Sequence, residues 1–363
     1  MRVLVFGTYD TTLHPRVATI AEGLLASGVD VDECNVPLGL GTAARVEALA
    51  RAAKVPAFLA TVLRRWFALA RKARRTPKPD IVLVGYLGHF DVHLARLLFR
   101  GTPIVLDHLI GASSTARDRR LDGGLRQRLM AMIDSAALRA ADVVVVDTPE
   151  HRDALPERHR SRAVVVPVGA PTAWFDAVGD PSGEPLKVVF FGLYTPLQGT
   201  PVIGAALGRL AGEPIEVTMI GSGQDETEAR RAASANPAVR WLDWVASDEL
   251  PAVVASHDVC LGIFGTGEKA LRVVPNKVFQ GAAAGCAVVT SDTTPQRRAL
   301  GDAALLVPAG DPAALADALR GLAADREELS RLRKAAHQLA RERFAPGQVV
   351  VPLLDRLRFS GRS

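Results

Sequence analysis

Two cations close to a proline mark the stretch with the clearest chemistry. Arg272 and Lys277 flank Pro275 inside residues 262–292. Proline suits the first turn of a helix and Gly285 suits its exit, so a short helix is expected between them. A cation at a helix N-terminus is disfavoured by roughly 0.3–1 kcal/mol. Two there are accounted for if an anion belongs at that end, held also by the N–H groups around Asn276 and Val278. A solvated basic loop is the bland reading of the same charges. Other candidates sit where a strand hands over to a loop. Gly7 lies in the loop after the first strand, and His89 and Asp91 follow a later one. Asp107 and His108 end a third, at the carboxyl edge where ligands bind in open α/β sheets. Gly192 and Gln198 lie in the loop after residues 186–191, and Gly221-Ser222-Gly223 forms the turn after 215–220. His14 and Arg16, in the loop 8–16, read equally well as a polar helix start.

The elements that must position these residues alternate strand and helix. Apolar runs predict strands at 2–6, 29–36, 80–85, 103–106, 143–147 and 162–167. A second series follows at 186–191, 215–220, 239–241, 259–264, 286–290 and 303–307. Helical spacing fills the intervals other than 148–161 and 291–302, which makes two parallel α/β domains of similar size. Asp311-Pro312 is an N-cap followed by proline at the first helical position. The domain reading is 1–170, a linker at 171–185 around the Pro- and Gly-rich residues 180–185, and 186–346. Residues 347–363 then form one last apolar helix. The loop after the first strand lacks G-x-G-x-x-G, which disfavours a nicotinamide dehydrogenase.

Length and composition narrow the classes. The chain has 363 residues, 48% hydrophobic and 23% charged, with a net charge of +5. That is room for two cored domains and argues against wholesale disorder. The positive excess favours anionic partners but is too small to indicate nucleic acid, and 5% aromatics leaves few stacking platforms. Cys34, Cys260 and Cys286 form no metal-ligand spacing and read as buried thiols. No metal site and no cofactor are expected. No signal peptide or membrane-spanning run is read, so a cytoplasmic location is expected. Residues 51–79 are unusual: nine Lys or Arg, no Asp or Glu, and apolar residues from Phe58 to Leu69 at helical spacing. Two readings stand: a core-packing helix with a wet basic face, or a helix on an anionic membrane surface at the inner membrane face.

Several motifs in order carry a resemblance. These are Leu138-Arg139-Ala140-Ala141-Asp142-Val143, Val166-Pro167-Val168-Gly169-Ala170 with Trp174-Phe175, and Phe191-Gly192 through Gln198-Gly199. Gly221-Ser222-Gly223, and residues 302–308 with Gly310-Asp311-Pro312, complete the set. Together they resemble the GT-B glycosyltransferases, in particular the large retaining family 4 or group 1 enzymes, over nearly the whole chain. The resemblance implies two Rossmann-like domains facing a central cleft, with the last helix packing back on the first. It implies a hexosyltransferase that takes a nucleotide-diphosphate sugar as donor and a glycan, lipid-linked or small-molecule acceptor. Retention of configuration is implied with it, and metal-independent transfer is expected.

The family pattern also has departures here. Its phosphate-holding Arg and Lys are Leu193 and Gln198, and its two glutamates are Arg272 and Gln280. The expectation is relocation: Arg272 and Lys277 take over the phosphate charge as catalytic groups, with His108 near the reacting sugar. Gly7, Gly192, Gln198, Gly221, Asn276, Val278 and Gln280 are then expected to hold the donor, Gln280 through an amide that both accepts and donates. A sugar-nucleotide epimerase and a non-catalytic nucleotide-sugar-binding protein are the alternatives.

Overall fold

The computed structural model describes residues 1–10, 15–39, 55–86, 88–109, 124–179 and 183–360. His14, residues 51–54 of the basic stretch, the loop 113–122 and residues 180–182 of the expected linker lie outside them. The chain divides into two units: Met1–Pro167 with Val349–Ser363, and Val168–Gln348.

Unit 1 is a six-stranded parallel sheet in the order β2-β1-β3-β4-β5-β6. Its strands are β1 (Arg2–Gly7), β2 (Asp30–Asn35), β3 (Ile81–Val84), β4 (Ile104–Asp107), β5 (Val143–Val146) and β6 (Ala163–Val165). The central strands are unbroken apolar runs, because side chains on both faces are buried. One face packs Val3, Val5, Val143 and Val145 with Ile20 and Leu24 of the helix Arg16–Ala26. Val350, Leu353, Leu354 and Leu357 join the same core, so the C-terminal residues return to this unit. They do so as two helices, Pro346–Val349 and Val351–Ser360, rather than the single helix expected over 347–363. Pro352 has no N–H to donate back to Gln348, which lets the helix restart there.

The helix Val55–Ala73 covers the other face. Phe58, Val62, Leu69 and Ala73 point inward and are buried. Leu59, Leu63 and Phe67 form a second stripe, exposed by 42, 61 and 75%. The apolar residues that look like one face in the sequence are therefore two.

Unit 2 repeats the design in the order β12-β11-β10-β7-β8-β9. The strands are β7 (Leu186–Phe191), β8 (Ile215–Ile220), β9 (Val239–Leu242), β10 (Val259–Leu261), β11 (Ala287–Ser291) and β12 (Ala304–Val307). Strand β10 ends three residues before the expected 264. At Gly262 a Cβ would lie 2.0 Å from Thr290 Oγ1, and that hydroxyl accepts the Ile263 N–H at 3.2 Å, so the regular ladder ends there although Gly262 N–H still donates to Val289 O and Ile263 O accepts from Ser291 N–H. The segment read as a linker, 171–185, falls in unit 2. It opens with the helix Thr172–Asp176, whose buried Trp174 stacks on Phe191 at 5.5 Å.

Candidate functional site

In each sheet the strand order reverses beside its first strand, and the loops at the carboxyl ends of those strands frame a crevice. In unit 2 that point lies between β7 and β10. Backbone hydrogen bonds draw the loops together there. Gly192 N–H donates to Ile220 O at 3.0 Å, Tyr194 N–H to Ser222 O at 2.9 Å, and Phe264 N–H to Gln198 O at 3.0 Å. Gly221 closes the arrangement at φ 123°, where a Cβ would stand 2.0 Å from Gly192 O. No side chain fits at that distance.

The helix Asn276–Ala283 starts at this crevice, with Pro275 extended as its N-cap. The Val278 N–H turns back to Pro275 O at 3.0 Å, so the open N–H groups of the first turn are those of Asn276 and Lys277. Lys277 does not reach into solvent. It is 4% exposed, its Nζ lies 3.6 Å from the centroid of the Phe190 ring, and it donates to Gln198 Oε1. A Cβ on Gly192 would sit 3.2 Å from the same Nζ, which ties glycine at 192 to the ammonium. Burial pulls the Lys277 pKa down to about 7. Gln280 is buried one turn further along the helix.

Three of the residues expected from the sequence, Gly192, Gln198 and Lys277, therefore meet. Arg272 is placed differently. It ends the 3-10 turn Ala270–Arg272, is about half exposed, and pairs with Glu268 at 2.8 Å. A carboxylate one turn away already answers its charge. The sequence reading passed over Phe190 and Glu268. Phe190 looked like any strand residue, and nothing in the local pattern says which side chain a buried ammonium will face.

In unit 1 the reversal lies between β1 and β3. Gly7 ends β1, and the next residue, Thr8, donates both its N–H (2.7 Å) and its hydroxyl (2.8 Å) to Asp91 Oδ2. Trp66 Nε1 donates to Asp91 Oδ1 at 2.9 Å, so Asp91 anchors the loop. Arg16 is buried with its single Nε–H bifurcated over the two carboxylate oxygens of Asp107, at 2.8 and 3.1 Å, while Nη1 donates to Pro167 O and Nη2 to Val166 O. That pairing accounts for both residues structurally. His108 follows β4, tied by its N–H to Val145 O at 2.8 Å. Its ring meets that of His89 edge-on at 5.2 Å, and His89 Nε2 lies 3.2 Å from Asp134 Oδ1. Burial, then the His89 charge, push the His108 pKa down to about 4. At neutral pH it is an uncharged imidazole, able to donate or accept a hydrogen bond but not to act as a cation. Nearby, His151 Nδ1 pairs with Asp147 at the end of β5. Among the described residues no group of three or more His, Cys, Asp or Glu is placed to hold a metal ion. Among them, too, no helix is long and apolar enough to cross a membrane.

Comparison with known proteins bears on both units. The family model "Glycosyl transferases group 1" matches residues 185–325, and "Glycosyl transferase 4-like domain" matches 11–169. A phosphatidyl-myo-inositol mannosyltransferase of Mycolicibacterium smegmatis is 32% identical over 173 residues, which span 46% of this chain and 44% of that relative. Among solved structures, sucrose-phosphate synthase from Thermosynechococcus elongatus superposes with a TM-score of 0.72 at 15% identity, over 99% of this chain and all of that one. Anabaena HepE in complex with UDP-glucose superposes with a TM-score of 0.69 at 14% identity, over 99 and 100%. At such identities these structures are alike in fold.

Proposed function

The chain belongs to the group 1 glycosyltransferases of the GT-B fold, and on that premise we propose that it transfers a sugar from a nucleotide-diphosphate sugar to a glycan, lipid-linked or small-molecule acceptor. Transfer proceeds with retention and without a metal ion. The observation that carries the proposal is Lys277, a desolvated amino group at the start of a helix, at the topological switch point of unit 2, with a neutral amide as its hydrogen-bond partner. As the bond from the anomeric carbon to the diphosphate breaks, negative charge grows on the leaving phosphate. A cation and N–H groups already aimed at it lower the barrier. In this reading Lys277 and the N–H groups of Asn276 and Lys277 receive the diphosphate beneath Gly192, and Gln280 meets the ribose hydroxyls. Gln198 hands the ammonium over as the phosphate arrives. Arg272 contributes long-range charge, tempered by Glu268. His108 contributes a neutral hydrogen-bonding group to the sugar. The HepE complex with UDP-glucose supports trying uridine donors first.

A finer part of the proposal is docking on an anionic membrane at the cytoplasmic face through the helix Val55–Ala73. Support comes from the outward Leu59, Leu63 and Phe67, beside exposed Arg64, Arg65, Arg71 and Lys72 with no acidic residue in the helix. The mycobacterial relative is by its name a transferase for phosphatidyl-myo-inositol, which supports a lipid-linked acceptor.

The test is incubation with a panel of nucleotide sugars, with and without lipid and glycan acceptors, in EDTA. A glycosylated acceptor with retained configuration is expected. Epimerised donor, or binding without turnover, would replace the proposal with one of its two rivals.

A further inference from the structure

We infer that, at mildly alkaline pH, a nucleotide diphosphate bound in unit 2 takes up a proton through Lys277, the free site holding this side chain largely as a neutral amine and the occupied site as an ammonium. The inference rests on the donor-site reading above and adds the protonation state in which that site waits.

The geometry makes the charged form expensive before the ligand arrives. The Nζ is buried between the Phe190 ring and the Gly192 loop, with Gln198 Oε1 as its acceptor. An amide oxygen and a ring face compensate an ammonium only in part. The helix N-terminus adds a positive end beside it.

Among the described residues the elements packed on this helix bring no countercharge to Lys277, and one of them, the helix Leu250–Ala255, has no titratable side chain. Strand β10 offers the Cys260 thiol, whose Sγ lies 3.5 Å from Lys277 O and whose pKa burial pushes up to about 12, so it is neutral. Cys286, before β11, is likewise pushed up by burial. The helix Arg326–Arg343 meets this helix at its far end, with Arg333 on Gly285 O at 2.9 Å and His337 on Ala283 O at 3.0 Å. The helix Thr172–Asp176 carries Asp176 on its exposed side. Burial sets the lysine near pH 7 in the free site. A diphosphate within a few ångströms favours the ammonium and raises that value.

The sign follows from linkage. Below about pH 7 the ammonium is already present, so binding exchanges no proton and is insensitive to pH. Above it, binding must draw the proton from solvent. Affinity then falls about tenfold per pH unit until the raised value of the occupied site is reached.

Isothermal titration of the full chain at pH 8.5 in two buffers of different ionisation enthalpy counts the protons. The probes are UDP-glucose, whose diphosphate has no proton to exchange near neutrality, with uridine and guanosine diphosphates beside it. Uptake of about one proton, and a Kd for UDP-glucose about tenfold weaker at pH 8.5 than at 7.5, are expected. Lys277→Arg, permanently charged, should show no uptake and a flat profile. Binding by the native chain without proton uptake overturns the inference. Failure of all three probes to bind overturns the donor-site reading beneath it. Lysine side-chain NMR on the ligand-free native chain decides independently of binding: a Lys277 midpoint near 7 supports the inference, and one near the ordinary ~10.4 overturns it.

Discussion

Lys277, the residue proposed to receive the diphosphate, works against the stability of its own domain. Unfolded, the ammonium titrates near ~10.4. Folded, burial brings it to about 7. The folded state therefore binds fewer protons between these values, and stability rises with pH across that window. The penalty is full below about pH 7 and is gone once pH passes the unfolded value. Lys277→Met keeps the length and the packing on Phe190 but removes the charge. It leaves Gln198 Oε1 without its donor, which takes back part of the gain. Denaturant unfolding at pH 7 is expected to show a net stabilisation of about 1–3 kcal/mol. The rise in stability from pH 7 to 10 seen in the native chain should be absent from the variant, while nucleotide binding is lost. A variant less stable than the native chain at pH 7 would mean the ammonium is well compensated. Arg272, half-exposed and paired with Glu268, has no comparable leverage on folding.

The helix Val55–Ala73 makes its argument as an element. A surface helix needs one apolar stripe to pack. This one buries Phe58, Val62, Leu69 and Ala73 and still presents Leu59, Leu63 and Phe67 outward. Burial of a single such side chain in an acyl boundary is worth roughly 1.5–3 kcal/mol, so one charged replacement should reduce vesicle binding at least about tenfold. Phe67→Glu is expected to do so in co-sedimentation with anionic vesicles at low salt. Its melting temperature should stay near that of the native chain, because Phe67 is 75% exposed. Equal sedimentation of variant and native chain would assign the stripe to something other than lipid. Shorter elements escaped the sequence reading for a plain reason. The helices Pro149–Ala154, Thr172–Asp176 and Thr294–Leu300 are less than two turns long, too short for apolar spacing to repeat.

At the scale of the whole molecule, the last residues complete a domain begun at the first. Val349, Val350, Leu353, Leu354 and Leu357 sit in the core built on β1, β3, β4 and β5. Removal of 349–363 uncovers several large side chains of that core, each worth about 1.5–3 kcal/mol. Calorimetry of the truncated chain should show unit 1 losing its transition, or melting well below its native temperature. Unit 2, with a core of its own, should keep its transition. A single unchanged transition would contradict that assignment.

Much of this design is written in local pattern. The central strands of both sheets answer to apolar runs in the sequence, because strands covered on both faces have no alternation to blur, whereas the edge strands β2 and β9 carry polar residues and are only partly buried. The glycines at 192 and 221 and the proline at 275 marked the crevice loops, since their backbone constraints are local. The contacts inside the crevice were not legible. Which ring a lysine lies against, and whether an arginine meets a phosphate or a glutamate, depends on side chains tens of residues apart. Gln198 and Lys277 are 79 residues apart and become partners because β7 and β10 pair side by side. Residue types and the order of the elements were thus settled by the sequence itself. The burial that turns Lys277 from a surface cation into a desolvated amine exists only once the sheet has brought those loops together.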